Sequence, residues 1–165
     1  MAATSEQVFI GVGSNIEPRR HIAQALRLLR QRFGTLQVST IYACPAIGFD
    51  GAMFGNLVVG FDTDLAALDL VHALRAIEQQ CGRPHSDRTR SRTMDLDLLL
   101  YGEHVLETAD LQVPRVDILR FAFVLKPLAE LLPDGRHPVL GSRYRDLWAA
   151  FDASEQPLTP MALAD

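Results

Sequence analysis

The chain has 165 residues, 48% of them hydrophobic and 22% charged, with a formal net charge of -4 and a pI near 5.7. That length suffices for one domain with its own core, and the acidic balance excludes a general nucleic-acid binder, which is normally basic. Cys44 and Cys81 lie far apart, the start lacks the basic and apolar regions of an export signal, and no apolar run has the length of a membrane span; the expectation is a soluble protein of a reducing cytoplasm.

Taken in order, Val8-Phe-Ile-Gly-Val12 alternates and predicts a first strand ending in a tight turn at Gly13-Ser14-Asn15. The run Gly11-Val-Gly-Ser-Asn15 has neither the Gly-Lys-Ser/Thr ending nor the third spaced glycine of a nucleotide loop, so a turn is preferred over a phosphate cradle. Pro18 opens a helix to Phe33, with Ile22, Leu26, Leu29 and Phe33 as its stripe and Gly34 as its stop. Leu36 to Ala43 predicts a second strand, Cys44 to Gly51 a loop, and Leu57 to Phe61 a third strand. Thr63 or Asp64 caps a second helix that runs to about Cys81.

Met94 to Tyr101 predicts a central fourth strand, with Leu96, Leu98 and Leu100 on the face opposite Asp95 and Asp97. A hairpin turn at Tyr101 to Val105 follows, then a helical stretch from Val116 to Leu132 interrupted at Pro127. A short helix around Leu147, Trp148 and Phe151 precedes a mobile tail over 152–165. The order strand, helix, strand, strand, helix, strand predicts an α+β fold with a ferredoxin-like βαββαβ core. Its antiparallel sheet carries helices on one face, and a C-terminal hairpin and helical extension follow.

The chemistry concentrates between Glu78 and Tyr101. Arg83, Arg88, Arg90 and Arg92 crowd together just before Asp95 and Asp97. Side chains at i and i+2 of a strand share a face, so the carboxylates converge either as ligands of hard cations or as a solvated strand end. The arginines fit an anion held among them, or a surface network with Glu78, Asp87 and the aspartates. On residues alone this is a metal-assisted phosphoryl-transfer or phosphate-ester site. The five histidines show no metal-ligand spacing, and Ser14 has no nucleophile-elbow context.

Several motifs occur in one order: Gly13-Ser-Asn15, Tyr42 through Gly48, Phe54-Gly-Asn56, Glu78 with Gly82-Arg83, Arg92-Thr-Met-Asp95-Leu-Asp97, Val113-Pro114 and Phe123-Val-Leu with Pro127-Leu128. Together they resemble the 6-hydroxymethyl-7,8-dihydropterin pyrophosphokinase family over most of the chain. The resemblance implies transfer of diphosphate from ATP to the pterin hydroxymethyl group, with release of AMP, by a cytoplasmic monomer that engages no nucleic acid and no membrane. It implies that Asp95 and Asp97 hold a pair of Mg²⁺ ions and that Arg83 and Arg92 are catalytic. Cys44, Pro45, Ile47, Phe54, Asn56 and Phe123 would bind the pterin, with Phe54 and Phe123 stacking on its ring. Glu78, Arg83, Arg88, Arg92, Leu98, Gln112, Arg115 and Arg120 would form the ATP side.

The chain departs from the family pattern at several places, one being the loop from Arg83 to Arg92, which carries Arg90 and His85 in an unusual arrangement. Thr89 stands where an aromatic residue is usual, Arg115 replaces the histidine of Val-Pro-His, and Phe121-Ala-Phe123 replaces Arg-Ala/Gly-Phe, with Arg120 one place early. These departures leave two other readings open, a pterin-binding paralogue that no longer transfers and a kinase for a related pterin. A phosphohydrolase using the same metal pair is a third.

Overall fold

In the computed structural model, the residues described are 4–45, 53–82 and 94–163. β1 (Glu6–Ser14) leads into α1 (Pro18–Phe33), followed by β2 (Gln37–Val38), β3 (Ile41–Cys44), β4 (Phe54–Thr63), α2 (Ala67–Gln80) and β5 (Asp95–Tyr101). β6 (Leu106–Glu107) and β7 (Gln112–Val113) form a small antiparallel pair of their own. Then come α3 (Asp117–Arg120), α4 (Ala122–Leu131), α5 (Tyr144–Ala150) and β8 (Thr159–Met161). The main sheet is six-stranded in the order β5-β1-β4-β3-β8, with β2 also on β4, and its pairings are antiparallel.

The two core helices, α1 and α2, pack on one face of the sheet as the element order predicts, and the helices of the C-terminal extension cover the other. On one face Val8, Ile10, Val12, Leu57, Val59, Leu96 and Leu98 pack with Ile22, Leu26 and Leu29 of α1 and Leu70, Leu74 and Ile77 of α2. On the other, Phe9, Val58, Leu99 and Leu100 pack with Ile118, Val124, Leu125, Leu128 and Tyr144 of α3 to α5. The period-2 strand pattern thus feeds two cores, because alternate residues of one strand serve opposite faces.

Several sequence expectations change. Among the described residues β5 is an edge strand, not a central one; it reads as nearly continuous apolar sequence because both its faces are covered. Its register against β1 shifts between Phe9 and Ile10, so that Phe9 pairs with Leu100 and Ile10 with Leu98. That extra residue is a bulge, and it sends Leu100 to the second core instead of the face shared by Leu96 and Leu98. β1 continues through Gly13 to Ser14, so Gly13, expected in a turn, is a strand residue like Gly11. The second strand is broken in two at Ser39 and Thr40, where the Ser39 hydroxyl accepts the Val58 N–H at 2.9 Å.

Thr63 is still paired in β4, so α2 begins only at Ala67, with Ala66 at its N-cap and no side-chain cap. The Thr63 hydroxyl instead accepts the Leu65 N–H at 3.1 Å and turns the chain toward the helix. A turn follows β5 at Gly102, but β5 makes no hairpin there; the paired strands are β6 and β7. The helical stretch breaks at Phe121, whose backbone is extended, while Pro127 is accommodated inside α4. The last helix forms where expected, at Tyr144–Ala150. In place of a mobile tail, residues 159–161 add an edge strand against β3.

Candidate active site

A cavity of about 260 Å³ opens between the sheet and α4. Its floor is the stretch of β1 that carries Gly11 and Gly13. Gly11 pairs with Asp97 on one side and Val58 on the other, and Gly13 pairs with Asp95 and Asn56. A side chain here would fill the space: a Cβ on Gly13 would stand 2.8 Å from Asn56 Oδ1. Two glycines on one face of a well-buried strand are costly for strand stability; here they keep the floor low, so that the row Asp95, Gly13, Asn56, Tyr42 runs across three strand pairings.

The half of the cavity over β3 and β4 is apolar and neutral. Cys44 and Pro45, Phe54 and Asn56, and Phe123 of α4 line it. Asn56 is buried and its Nδ2 donates to Cys44 Sγ at 3.0 Å, which leaves the amide's orientation set by a neutral partner. Burial pushes the Cys44 thiol up to about 11, although the Asn56 bond pulls it down, so it stays protonated at neutral pH. Phe123 stacks on Phe121 with ring centroids 5.1 Å apart and planes 17° from parallel. Behind this wall the buried Tyr42 hydroxyl donates to Glu130, whose other oxygen accepts the Thr40 N–H at 3.0 Å. Lys126 Nζ lies 5.0 Å from the Tyr42 ring. These contacts bolt α4 to β3; burial first, then Glu130, push the Tyr42 phenol up to about 12.

The other half is charged. Asp95 and Asp97 both face the cavity, with Asp117 near by. Asp97 sits between two guanidiniums, 3.9 Å from Arg75 and 3.9 Å from Arg115. Arg115 donates from Nε to Asp117 at 3.0 Å and its backbone N–H donates to the Leu99 carbonyl at 3.0 Å. Burial alone would pull Arg115 down, but Asp97, then Asp117 and Asp95, outweigh it and hold the guanidinium charged. Pairs at this distance and exposure contribute little stability; their effect is on orientation and local field.

Among the described residues Glu78 is the best-buried acid, 2% exposed. Its Oε2 accepts the Leu96 N–H at 2.7 Å and an N–H of Arg75 at 2.5 Å, while Arg75 donates to the Leu96 carbonyl at 3.0 Å. The Arg75–Glu78 pair therefore stands in for a neighbouring strand along the outer edge of β5, at the residue between Asp95 and Asp97. Unpaired backbone groups at a sheet edge need such cover. Glu78, weighed from sequence as part of a surface network, is instead buried, although it does pair with an arginine.

Of the residues singled out in the sequence, Cys44, Pro45, Phe54, Asn56, Asp95, Asp97 and Phe123 meet in this cavity. Leu98 does not: its side chain is buried in the core on the α1 and α2 side. Gln112 and Arg115 border a neighbouring groove of about 210 Å³, and Arg120 is exposed on α3. Ile47, Arg83, Arg88, Arg90 and Arg92, with Thr89, lie outside the described residues. Arg75, Asp117 and Glu130 were missed by sequence reasoning. Arg75 had a signal, since it precedes Glu78 by three on a helix; Glu130 had none, because its partners are 88 and 90 residues away.

Asp95 and Asp97 fit a divalent cation of a particular kind. Among the described residues no three His, Cys, Asp or Glu side chains gather into a metal cage. Mg²⁺ is usually bound through one or two carboxylates, keeping several waters and sharing phosphate oxygens with its substrate.

The family profile described as 7,8-dihydro-6-hydroxymethylpterin-pyrophosphokinase matches residues 9–133. The 2-amino-4-hydroxy-6-hydroxymethyldihydropteridine pyrophosphokinase of Pseudomonas aeruginosa is 44% identical over 143 residues, covering 80% of this chain and 87% of that one. The protein of the same name from Bacillus subtilis is 38% identical over 127 residues, covering 74% and 76%. Among solved structures, an HPPK-DHPS in complex with substrates superposes with a TM-score of 0.72 at 14% identity, covering 92% of this chain. This chain spans 44% of that bifunctional protein, so the likeness shows the fold of one part of it. No helix among the described residues is long and apolar enough to cross a membrane. The chain belongs to the 7,8-dihydro-6-hydroxymethylpterin-pyrophosphokinase family.

Proposed function

We infer that this chain transfers the diphosphate group of ATP to the hydroxyl of 6-hydroxymethyl-7,8-dihydropterin, giving AMP and the pterin diphosphate for folate synthesis. The observation that carries this reading is the meeting of an apolar, Asn-bearing half-cavity with two carboxylates on one sheet face. A flat heteroaromatic ring fits the first half, stacked between Phe54 and Phe123. Asn56 hydrogen-bonds the ring's polar edge, and the backbone of Cys44, Pro45 and Ile47 completes its recognition.

Asp95 and Asp97 would hold a pair of Mg²⁺ ions. When bound, such ions neutralise phosphate charge and make the attacking hydroxyl more acidic. Asp97 is kept oriented by Arg75 and Arg115, and the Arg75–Glu78 pair fixes the edge strand that presents both carboxylates. Arg83 and Arg92 stabilise charge on the transferring and bridging oxygens, with Arg88, Gln112, Arg115 and Arg120 on the nucleotide side. For Leu98 only the backbone enters this scheme. The chemistry then rests on positioning and charge neutralisation, with in-line attack on the β-phosphorus. We take residues 1–165 as a single domain that acts as a cytoplasmic monomer.

A second reading, a paralogue that binds pterin without transfer, is favoured by Arg115. A fixed cation 3.9 Å from Asp97 competes with a metal for that carboxylate. The deciding experiment follows AMP formation from ATP in the presence and absence of Mg²⁺ and of the hydroxymethyl pterin. AMP that requires both is expected. Pterin binding without AMP release would establish the second reading, and phosphate or diphosphate release without pterin would indicate a phosphohydrolase.

A further inference from the structure

The family profile ends at residue 133, yet the chain beyond it returns to a groove beside the cavity. β8 pairs with β3 in the register Ile41 to Met161 and Ala43 to Thr159. The residues just before β8 therefore run on past Cys44 and Pro45. There residues 155–158 face Cys44, Pro45 and Phe123 across a groove of about 220 Å³. Those same three residues line the main cavity, so groove and cavity share a wall. The far end of the segment is tied down by Arg19, whose Nε donates to the Ala162 carbonyl at 2.9 Å.

Gln156 makes the closest link. α4 has no side-chain cap from its own N-cap residue, and the first N–H groups of a helix need acceptors. Gln156 Oε1 accepts the Ala122 N–H at 2.8 Å, and its Nε2 donates to the Arg120 carbonyl at 3.1 Å. One carboxamide thus satisfies a donor and an acceptor on either side of Phe121, where α3 ends and α4 begins. A primary amide is suited to this because it presents both an acceptor and donors. Phe121 and Phe123, stacked on each other, straddle the bonded Ala122.

We propose that Gln156 is a positioning residue for the pterin half of the site. It holds the Phe121–Phe123 pair at the pitch the ring requires, and the segment before β8 forms the outer wall of that half. This rests on the pterin assignment above. The test measures pterin affinity without ATP, by titration calorimetry, for the wild type, Gln156→Ala and Gln156→Glu, together with melting temperature and steady-state kinetics.

Gln156→Ala is expected to weaken pterin binding roughly 5- to 10-fold, the loss of a pair of ordinary hydrogen bonds, and to raise the KM for pterin. The KM for ATP and kcat at saturating pterin stay unchanged. Gln156→Glu keeps an acceptor for Ala122 and should lose less. A lower melting temperature with unaltered pterin affinity would mean that Gln156 only caps a helix, and would overturn the proposal. Should Gln156→Ala not fold, Gln156→Glu decides by the same split, and wild-type affinity in that variant overturns it. The two readings separate cleanly. AMP formation by the wild type with no effect of Gln156 on pterin binding defeats this inference alone. Weakened pterin binding in a protein that makes no AMP defeats the transfer assignment alone, and a wild type that binds no pterin defeats both.

Discussion

The two halves of the cavity are built by different physics. The half over β3 and β4 is held by packing and neutral hydrogen bonds: Asn56 on Cys44, Phe123 on Phe121, and the Tyr42 hydroxyl on Glu130 behind them. The half over β5 is held by charge, with Asp97 between Arg75 and Arg115 and the strand edge covered by Glu78. Packing fixes shape without a ligand, whereas a cluster of charges takes its final arrangement from whatever neutralises it. A shape-fixed pocket beside a charge-fixed one suits a rigid aromatic acceptor beside a flexible polyanionic donor.

That contrast breaks most visibly at Asp97. Asp97→Ala should lower AMP formation by about 10²- to 10³-fold or more, the scale seen when a charge-stabilising group is removed from an active site, while calorimetric pterin binding is retained. Unchanged turnover would remove Asp97 from the chemistry. The reciprocal variant, Phe123→Ala, should weaken pterin binding roughly tenfold through lost stacking and leave nucleotide binding intact. Equal loss of both ligands would show that the halves are not independent.

A smaller effect is expected at the support of the charged half. Glu78→Ala strips the buried Leu96 N–H of its acceptor and should cost about 1–3 kcal/mol of stability, read from urea unfolding. A neutral result would mean that β5 does not depend on that cover. The smallest effect is nil at neutral pH. Cys44 and Cys81 are each raised by burial from 9.0 to about 11. They stay protonated in the fold while the unfolded chain ionises, so their contribution is intact below about pH 9 and is lost progressively toward pH 11. The urea midpoint should fall across that window, and Cys44→Ala should make the fall shallower. A midpoint independent of pH there would contradict the buried-thiol assignment.

Local pattern was enough for much of this. α1 follows from Pro18, its apolar stripe and Gly34, and the strand positions from alternation; both are short-range properties of the chain. Asp95 and Asp97 were legible because i and i+2 on a strand must share a face whatever the fold. Phe54, Asn56 and Phe123 are ordinary core or turn residues by local pattern and stood out only through a family resemblance. The bulge that moves Leu100 to the second core, the edge position of β5 and the break at Phe121 left no local mark, since each is set by what the strand or helix meets across the fold.

The sequence by itself thus determined the alternation of strands and helices through β5, the carboxylate pair and the family to which the chain belongs. Only the tertiary structure decided that the C-terminal helices cover the second sheet face, that Gly11 and Gly13 form a cavity floor, and that Arg75 and Glu78 brace the outer edge of β5. It also decided that the chain after Asp152 comes back as a strand beside β3, with Gln156 bonded 34 residues upstream at Ala122. The reason is the same in each case. Periodicity and turn chemistry act over a few residues, whereas a cavity, a strand edge or a shared hydrogen bond is made by groups that only folding brings together.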